Sequence, residues 1–237
     1  MNAVRFAWAV LLLTGAGLVS VAPARAQIEE DVEPVKDFSS PENFAIEFRV
    51  GPYQPEMDEN DAFDTFFGDD SGPLLALELD YVLYSIPEVL YVGPGGGIGW
   101  MNFDGNTRDD QGTATSEETS IEIVPLSLLA VVRVDVLPRK LSVPILLTGK
   151  LGYQWARWST DSGDTNDESG WSVGLLWAIQ FGLDLDTFEP AAARNMDEEW
   201  GINHSFLFFE LFGFEPSGSS LPIGSDVAWT AGLGFMF

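Results

Sequence analysis

The chain has no cysteine among its 237 residues, which excludes disulfides and thiolate metal sites. That absence says little about compartment. Histidine is almost missing as well: His204 is the only one. Basic residues are scarce, 11 Lys and Arg against 37 Asp and Glu, for a formal net charge of −26. Nucleic acid is therefore excluded as a partner, because phosphate binding needs the opposite sign. Anionic lipid headgroups would also repel the chain unless divalent cations intervene. Beyond the N-terminus no run of eighteen consecutive apolar residues occurs, so no helix is expected to cross a membrane.

What is present begins with a leader. Arg5 gives one positive charge, Phe6 to Val21 is mostly apolar, and Ala24-Arg25-Ala26 supplies a small-x-small cleavage site before Gln27. The pattern predicts a cleaved secretory signal peptide over 1–26. Thr14, Gly15 and Gly17 interrupt the apolar run and speak against a permanent anchor. Cleavage would remove Arg5 and Arg25 and no acid, leaving 9 bases against 37 acids, a net charge of −28. Residues 27–43 are polar and acidic and read as a flexible periplasmic lead-in. The remainder, 44–237, suffices for one domain.

From residue 44 the chain alternates apolar-periodic and polar segments. The period is two, which predicts strands. Eight are expected, over 44–53, 74–84, 90–103, 119–137, 145–158, 171–183, 204–214 and 227–237. The last is the clearest. Val227, Trp229, Ala231, Leu233, Phe235 and Phe237 fall on one face, and Ala228, Thr230, Gly232, Gly234 and Met236 on the other. In the first, Phe44, Ile46, Phe48 and Val50 oppose Glu47 and Arg49; in the second, Leu75 to Leu83 oppose Glu78 and Asp80. A large apolar face opposite a charged or slim one is the pattern of a transmembrane strand, which turns its apolar face to lipid. Each segment reaches the roughly 9–11 residues that a tilted strand needs to cross hydrocarbon.

These features together predict an all-β fold, an eight-stranded antiparallel up-and-down transmembrane β-barrel. Pro94 implies a bulge in the third strand, and the phase of the fourth slips near Pro125, which implies another. The polar connections 54–73, 104–118, 159–170 and 215–226 would lie outside the cell. The opposite connections are short, apart from 184–203, where Glu189 to Arg194 reads as a helix with Pro190 in its first turn. Aromatics near the loops (Tyr53, Trp100, Trp155, Trp158, Trp171) and near the other ends (Tyr81, Tyr91, Phe181, Phe237) read as two interfacial belts.

Several segments carry a resemblance. Asn43 to Tyr53, Glu118 to Pro125, Arg133 to Val136, Ala191 to Arg194 and Gly201 to His204 resemble a family of myxobacterial outer-membrane β-barrel proteins. The resemblance spans nearly the whole mature chain. It implies a fold and a location, and supplies no catalytic or ligand residues. The closing aromatic Phe237 resembles the terminal signature by which such barrels are recognised for insertion, which implies the barrel-assembly machinery as a partner through the last strand. More distantly the design is similar to small OmpA/OmpX-type barrels, which act in envelope integrity and adhesion.

The candidate constellations favour structure over chemistry. The interior of an eight-stranded barrel is just wide enough for side chains to fill it. Glu47, Arg49, Glu78, Asp80, Arg133, Lys150, His204 and Glu210 are expected inside. Charges of both signs in a closed space must pair or stay hydrated, so a plugging ion-pair network is preferred over an ion path. His204 with Ser205 and Glu210 invites a hydrolase reading, in line with lipid-A-modifying enzymes. Adjacent residues on a strand point to opposite faces, however, and a base must lie within reach of its nucleophile. His204 is expected as a lumen or periplasmic-rim hydrogen-bonder.

The run Gly93 to Gly99 fails the dinucleotide pattern, and its glycines are expected to make room for bulky neighbours. Asp161 to Glu168 and Asp104 to Asn106 lack the Gly and Glu of a calcium loop and read as solvated acids. They retain a weak capacity to bridge divalent cations to lipopolysaccharide. No catalytic residue, cofactor-binding residue, metal ligand or cofactor is assigned. The expected function is an outer-membrane barrel with a plugged lumen and acidic extracellular loops, serving envelope integrity or surface interaction. The rivals are a lipid-A-modifying outer-membrane enzyme and a secreted lipocalin-like barrel, which would keep its apolar residues inside.

Overall fold

The computed structural model describes residues 42–57, 63, 71–108, 114–161, 168–217 and 222–237. The expected signal peptide, nearly all of the lead-in and most of the acidic first loop lie outside the described residues.

Eight long strands close into an antiparallel barrel: β1 (Phe44–Tyr53), β3 (Gly72–Tyr81), β5 (Leu90–Arg108), β6 (Ala114–Val134), β7 (Ile145–Asp161), β8 (Ser169–Asp184), β9 (His204–Pro216) and β10 (Ile223–Met236). Each pairs with the next in sequence, and β1 meets β10 through Ile46↔Phe235, Phe48↔Leu233 and Val50↔Ala231. Full closure leaves these long strands without a free edge. Two short strands are accessory: β2 (Glu56–Met57) extends the outer start of β10, and β4 (Tyr84–Ile86) folds back on β5. Among the described residues, α1 (Val136–Leu141) and α2 (Pro190–Trp200) fill connections at the opposite end. α2 has Pro190 in its first turn, as the sequence predicts, but continues to Trp200 and stops at Gly201, whose φ of +69° is the left-handed conformation favouring glycine.

The alternation places side chains as expected in the lower and middle barrel. Phe48, Leu75, Leu77, Leu79, Ile98, Leu128, Leu151, Phe181, Leu207 and Leu233 point outward and are exposed. Glu47, Glu78, Asp80, Arg133, Lys150, Gln180, Glu210 and Thr230 point inward and are buried. The outer face is a band of Leu, Val, Ile and Phe with Trp100, Trp155, Trp171 and Trp229 at its upper margin.

Above those tryptophans the polarity inverts. On β5 the outward residues become Asn102, Asp104 and Asn106, while Met101 and Phe103 turn inward and are buried. On β6 Glu122 points out and caps the indole of Trp100 at 3.1 Å, while Ile121 and Ile123 are buried inside. This upper section has the polarity of a water-soluble barrel, and the section below has the reverse. Burial of Ile121 and Ile123 stabilises by about 1.5–3 kcal/mol each.

The inversion corrects the expectation at Pro125. The inward set Ile121, Ile123, Pro125, Leu129, Val131 and Arg133 keeps a single phase, and β6 pairs with β7 from Ser120↔Asp161 to Val134↔Leu147 without a slip. What changes at Pro125 is the surroundings, and apolar residues switch sides with them. The irregularity expected at Pro94 is present on one side. Asp80 pairs with Gly95 but Tyr84 with Val92, so the β3–β4 side spends one more residue than β5. Pro94 sits at this break, where its missing N–H leaves no gap in a ladder.

The belts also need correction. Tyr53, Tyr91 and Trp158 are inward and buried, with Tyr53 and Trp158 in the upper apolar core. The belt role at the loop end falls to Trp100, Trp155, Trp171 and Trp229, and Tyr81 and Phe181 are exposed at the other end. Three expected loops are shorter than the sequence suggests, because β5 to β10 run on through parts of 104–118, 159–170 and 215–226.

Candidate functional site

The interior is layered. An apolar cluster containing Tyr53, Phe103, Ile121, Ile123, Trp158 and Phe214 closes the loop end. A second, with Tyr91, Leu146, Phe206, Phe208 and Met236, lies toward the opposite end. Between them lies the ionic layer that the sequence places in the lumen.

Strand register makes this layer necessary. β1 and β3 set Glu47 directly beside Glu78, and like charges in cross-strand pairs repel. Two cations, one from β7 and one from β1 itself, resolve the repulsion. Lys150 of β7 reaches Glu47 Oε2 and Glu78 Oε1 at 2.6 Å each and Glu210 Oε2 at 2.9 Å. Arg49 contacts Glu78 at 2.6 Å and Glu47 at 3.2 Å, and also pairs with Glu210 of β9. Glu47 is the hub. It additionally accepts from Arg133 Nη2 at 2.6 Å and from Gln180 Nε2 at 2.9 Å. Arg133 donates to Thr148 at 3.3 Å and lies 4.8 Å from the Phe206 ring centroid.

Both arginines thus meet the carboxylates expected of them. The layer holds four carboxylates (Glu47, Glu78, Asp80, Glu210) and three cations (Arg49, Arg133, Lys150). Asp80 is the outlier: Arg133 is 3.6 Å away, and neither carboxylate oxygen has a hydrogen-bond partner. Gly95 lies across from it, and a Cβ there would overlap Asp80 Oδ1. The inward glycines make room for lumen side chains, as expected. A cavity of about 50 Å³ remains beside Arg49, Glu78, Lys150 and Glu210. A site of that polarity and size has room for water.

A second polar cluster closes the helix-bearing end. His204 opens β9 between two carboxylates: Nδ1 is 2.6 Å from Asp186 Oδ2, and Nε2 is 3.1 Å from Glu42 Oε1. Arg139 of α1 donates to the same Glu42 oxygen at 2.7 Å and to the Tyr91 hydroxyl at 3.1 Å. Asp186 Oδ1 accepts from the Ser205 amide and hydroxyl at 3.2 and 3.1 Å. Thr187 holds Asp184 Oδ2 at 2.7 Å. Burial pushes the Glu42 carboxyl up, but His204, Tyr91 and Arg139 outweigh it and hold it down at about 2. Burial opposes the charge on Arg139, yet Glu42 and Asp135 keep its guanidinium above the ordinary value. Asp135, buried beside them, is pushed up by that burial, which Arg133 and Arg139 only partly counter.

His204 is therefore the rim hydrogen-bonder the sequence suggests. The alternation of the fourth strand also turns Asp135 inward, where it is buried, whereas Glu42, Asp184 and Asp186 fall at strand ends with no motif spacing. The hydrolase constellation does not assemble. The Ser205 hydroxyl donates to Asp186 and not to His204, and Glu210 sits in the central ionic layer. Among the described residues no helix is long and apolar enough to cross a membrane, which says nothing against crossing by strands.

No family model matches the chain, and no curated protein matches its sequence. Solved structures do. The outer membrane protein OprG of Pseudomonas aeruginosa aligns with a TM-score of 0.50 at 13% identity, over 84% of this chain and 97% of that one. Ail of Yersinia pestis, solved in complex with the heparin analogue sucrose octasulfate, aligns at 0.46 and 12%, over 82% and 99%. The outer membrane protease OmpT of Escherichia coli aligns at 0.39 and 9%, over 71% and 64%. Identity this low speaks to fold alone, and the likeness to OprG carries it: this chain has the closed eight-stranded architecture of the small outer-membrane barrels.

Proposed function

We propose that the chain is an integral protein of a Gram-negative outer membrane with a side-chain-plugged lumen, serving envelope integrity or surface interaction. The observation that carries this reading is the exterior. Its middle is a continuous apolar band around a charged interior, margined by tryptophans, and its outer extension reverts to polar-out and apolar-in. A secreted lipocalin-like barrel would show the second polarity throughout. The layered interior supports a plug: ions in the middle, apolar clusters on both sides. The closing strand, with its lipid-side Trp229, Leu233 and Phe237, suits recognition by the barrel-assembly machinery. The family resemblance of the sequence segments points to the same location. Polar, acidic outer hairpins suit contact with lipopolysaccharide through divalent cations.

Recording from planar bilayers tests the plug. The reconstituted protein is expected to give no discrete conductance steps at neutral pH. Reproducible single-channel openings would overturn the plugged reading. Replacing the outer loops by short Gly-Ser turns then separates the two roles: resistance to detergent survives if the barrel itself supports the envelope, and is lost if the loops act.

A further inference from the structure

We propose that Asp184, Asp186 and His204 form a binding site for a divalent transition-metal ion of the Zn²⁺ class, at the barrel end where β8 passes into β9. One donor atom from each lies within 4.8 Å of the others. Imidazole with carboxylates suits zinc and its neighbours better than calcium or magnesium, which take oxygen ligands. Three protein donors with a position left for water is the pattern of an open zinc site.

The surroundings are built as such a site needs. Metal-bound histidine commonly gives its other ring nitrogen to a carboxylate, which fixes the ring. Here His204 Nε2 faces Glu42 at 3.1 Å, and Arg139 anchors Glu42. Each aspartate has an oxygen held from outside the donor set, Asp186 by Ser205 and Asp184 by Thr187. The cluster is accessible, with side-chain exposures of 26% for His204 and 14% for Asp186.

A separate observation fits added positive charge at this end of the barrel. Asp135 is 2% exposed, acts electrostatically on the same Glu42 and His204, and leaves Oδ1 without a hydrogen-bond partner. The cluster sets three carboxylates, Glu42, Asp184 and Asp186, against Arg139 and the imidazole, with the buried Asp135 beside them. A dication offsets that excess. The His204–Asp186 contact at 2.6 Å would open by somewhat under 1 Å to admit metal–ligand bonds of about 2.0–2.2 Å.

The site needs the folded barrel, and folding is read independently by the heat-dependent shift of the barrel on gels. The test uses the mature chain folded in detergent, labelled with ¹⁵N-histidine and titrated with ZnCl₂ alone. Because the chain has one histidine, its ring signals are unambiguous. One equivalent of Zn²⁺ should move them, and millimolar Ca²⁺ should not reverse the effect. By calorimetry His204→Gln should lose that equivalent, with affinity falling at least 100-fold. Glu42→Gln should lose about 10–100-fold, as expected of a group that orients a ligand. Weak sites on loop acids should survive both changes. Zinc that binds without moving the ring signals, or binding undiminished in His204→Gln, overturns the proposal. Should His204→Gln fail to fold, the ring titration of the parent protein decides alone.

Discussion

Replacing Arg133 by Met should destabilise the barrel more than any apolar contact at that position can offset. Arg133 is 3% exposed and donates to Glu47 at 2.6 Å and to Thr148 at 3.3 Å. It is also the cation nearest to Asp80 among the contacts described, at 3.6 Å. Glu47 keeps Lys150, Arg49 and Gln180 after the change. Asp80 loses its nearest cation and keeps only the longer-range attraction of Lys150 and Arg49. Breaking a buried pair by removing one partner costs about 3–5 kcal/mol. Loss of the guanidinium from the face of Phe206 adds about 0.5–2 kcal/mol, offset in part by burial of the Met side chain. With a urea slope of about 1–3 kcal/mol per M, the unfolding midpoint in detergent should fall by at least about 1 M.

Asp80→Asn should behave in the opposite way. Its oxygens make no hydrogen bond, and the layer already has one acid in excess, so the change should be neutral or stabilising. In the double variant Asp80→Asn should recover much of the loss, with a coupling of about 0.5–3 kcal/mol. Additive effects, or a midpoint unchanged by Arg133→Met, would refute the argument that Arg133 and Asp80 are paired in this layer.

Three further outcomes follow from the wall. Leu233→Arg places a charge in the middle of the apolar band, at a cost of about 2–4 kcal/mol, and should cripple folding into vesicles. Phe237→Arg, which loses a stacked contact of 5.1 Å with Phe44 at the rim, should fold nearly normally in vitro and assemble poorly in cells. Gly234→Ala should cost about 1–3 kcal/mol by overpacking, because its Cβ would overlap the Phe206 ring, and the thermal midpoint should drop. Titrating Ca²⁺ at millimolar levels should perturb the NMR signals of the acidic segment 54–73, and no change would mean those acids only solvate.

The strand periodicity, the closure of last strand on first and the membership of the ionic layer were all readable from alternation. Glu47, Arg49, Glu78, Asp80, Lys150 and Glu210 each oppose an apolar face, which is a local signal. What escaped was anything that depends on height along the barrel. Ile121 and Ile123 mimic a phase slip because the surroundings of the strand differ above and below the tryptophans. Nearness to loops places Tyr53 and Trp158 in a belt, although their parity puts them inside. The rim cluster was hidden for another reason. Glu42, Asp184, Asp186 and His204 come together only when the barrel closes, and no short-range spacing records that.

The central claim is that the apolar band faces lipid. Membrane fractionation with boiled and unboiled gel samples tests it most directly. The account predicts that the protein resists extraction by high salt, fractionates with the outer membrane, and migrates differently before and after boiling. Release into the soluble fraction by salt alone, without detergent, would contradict it.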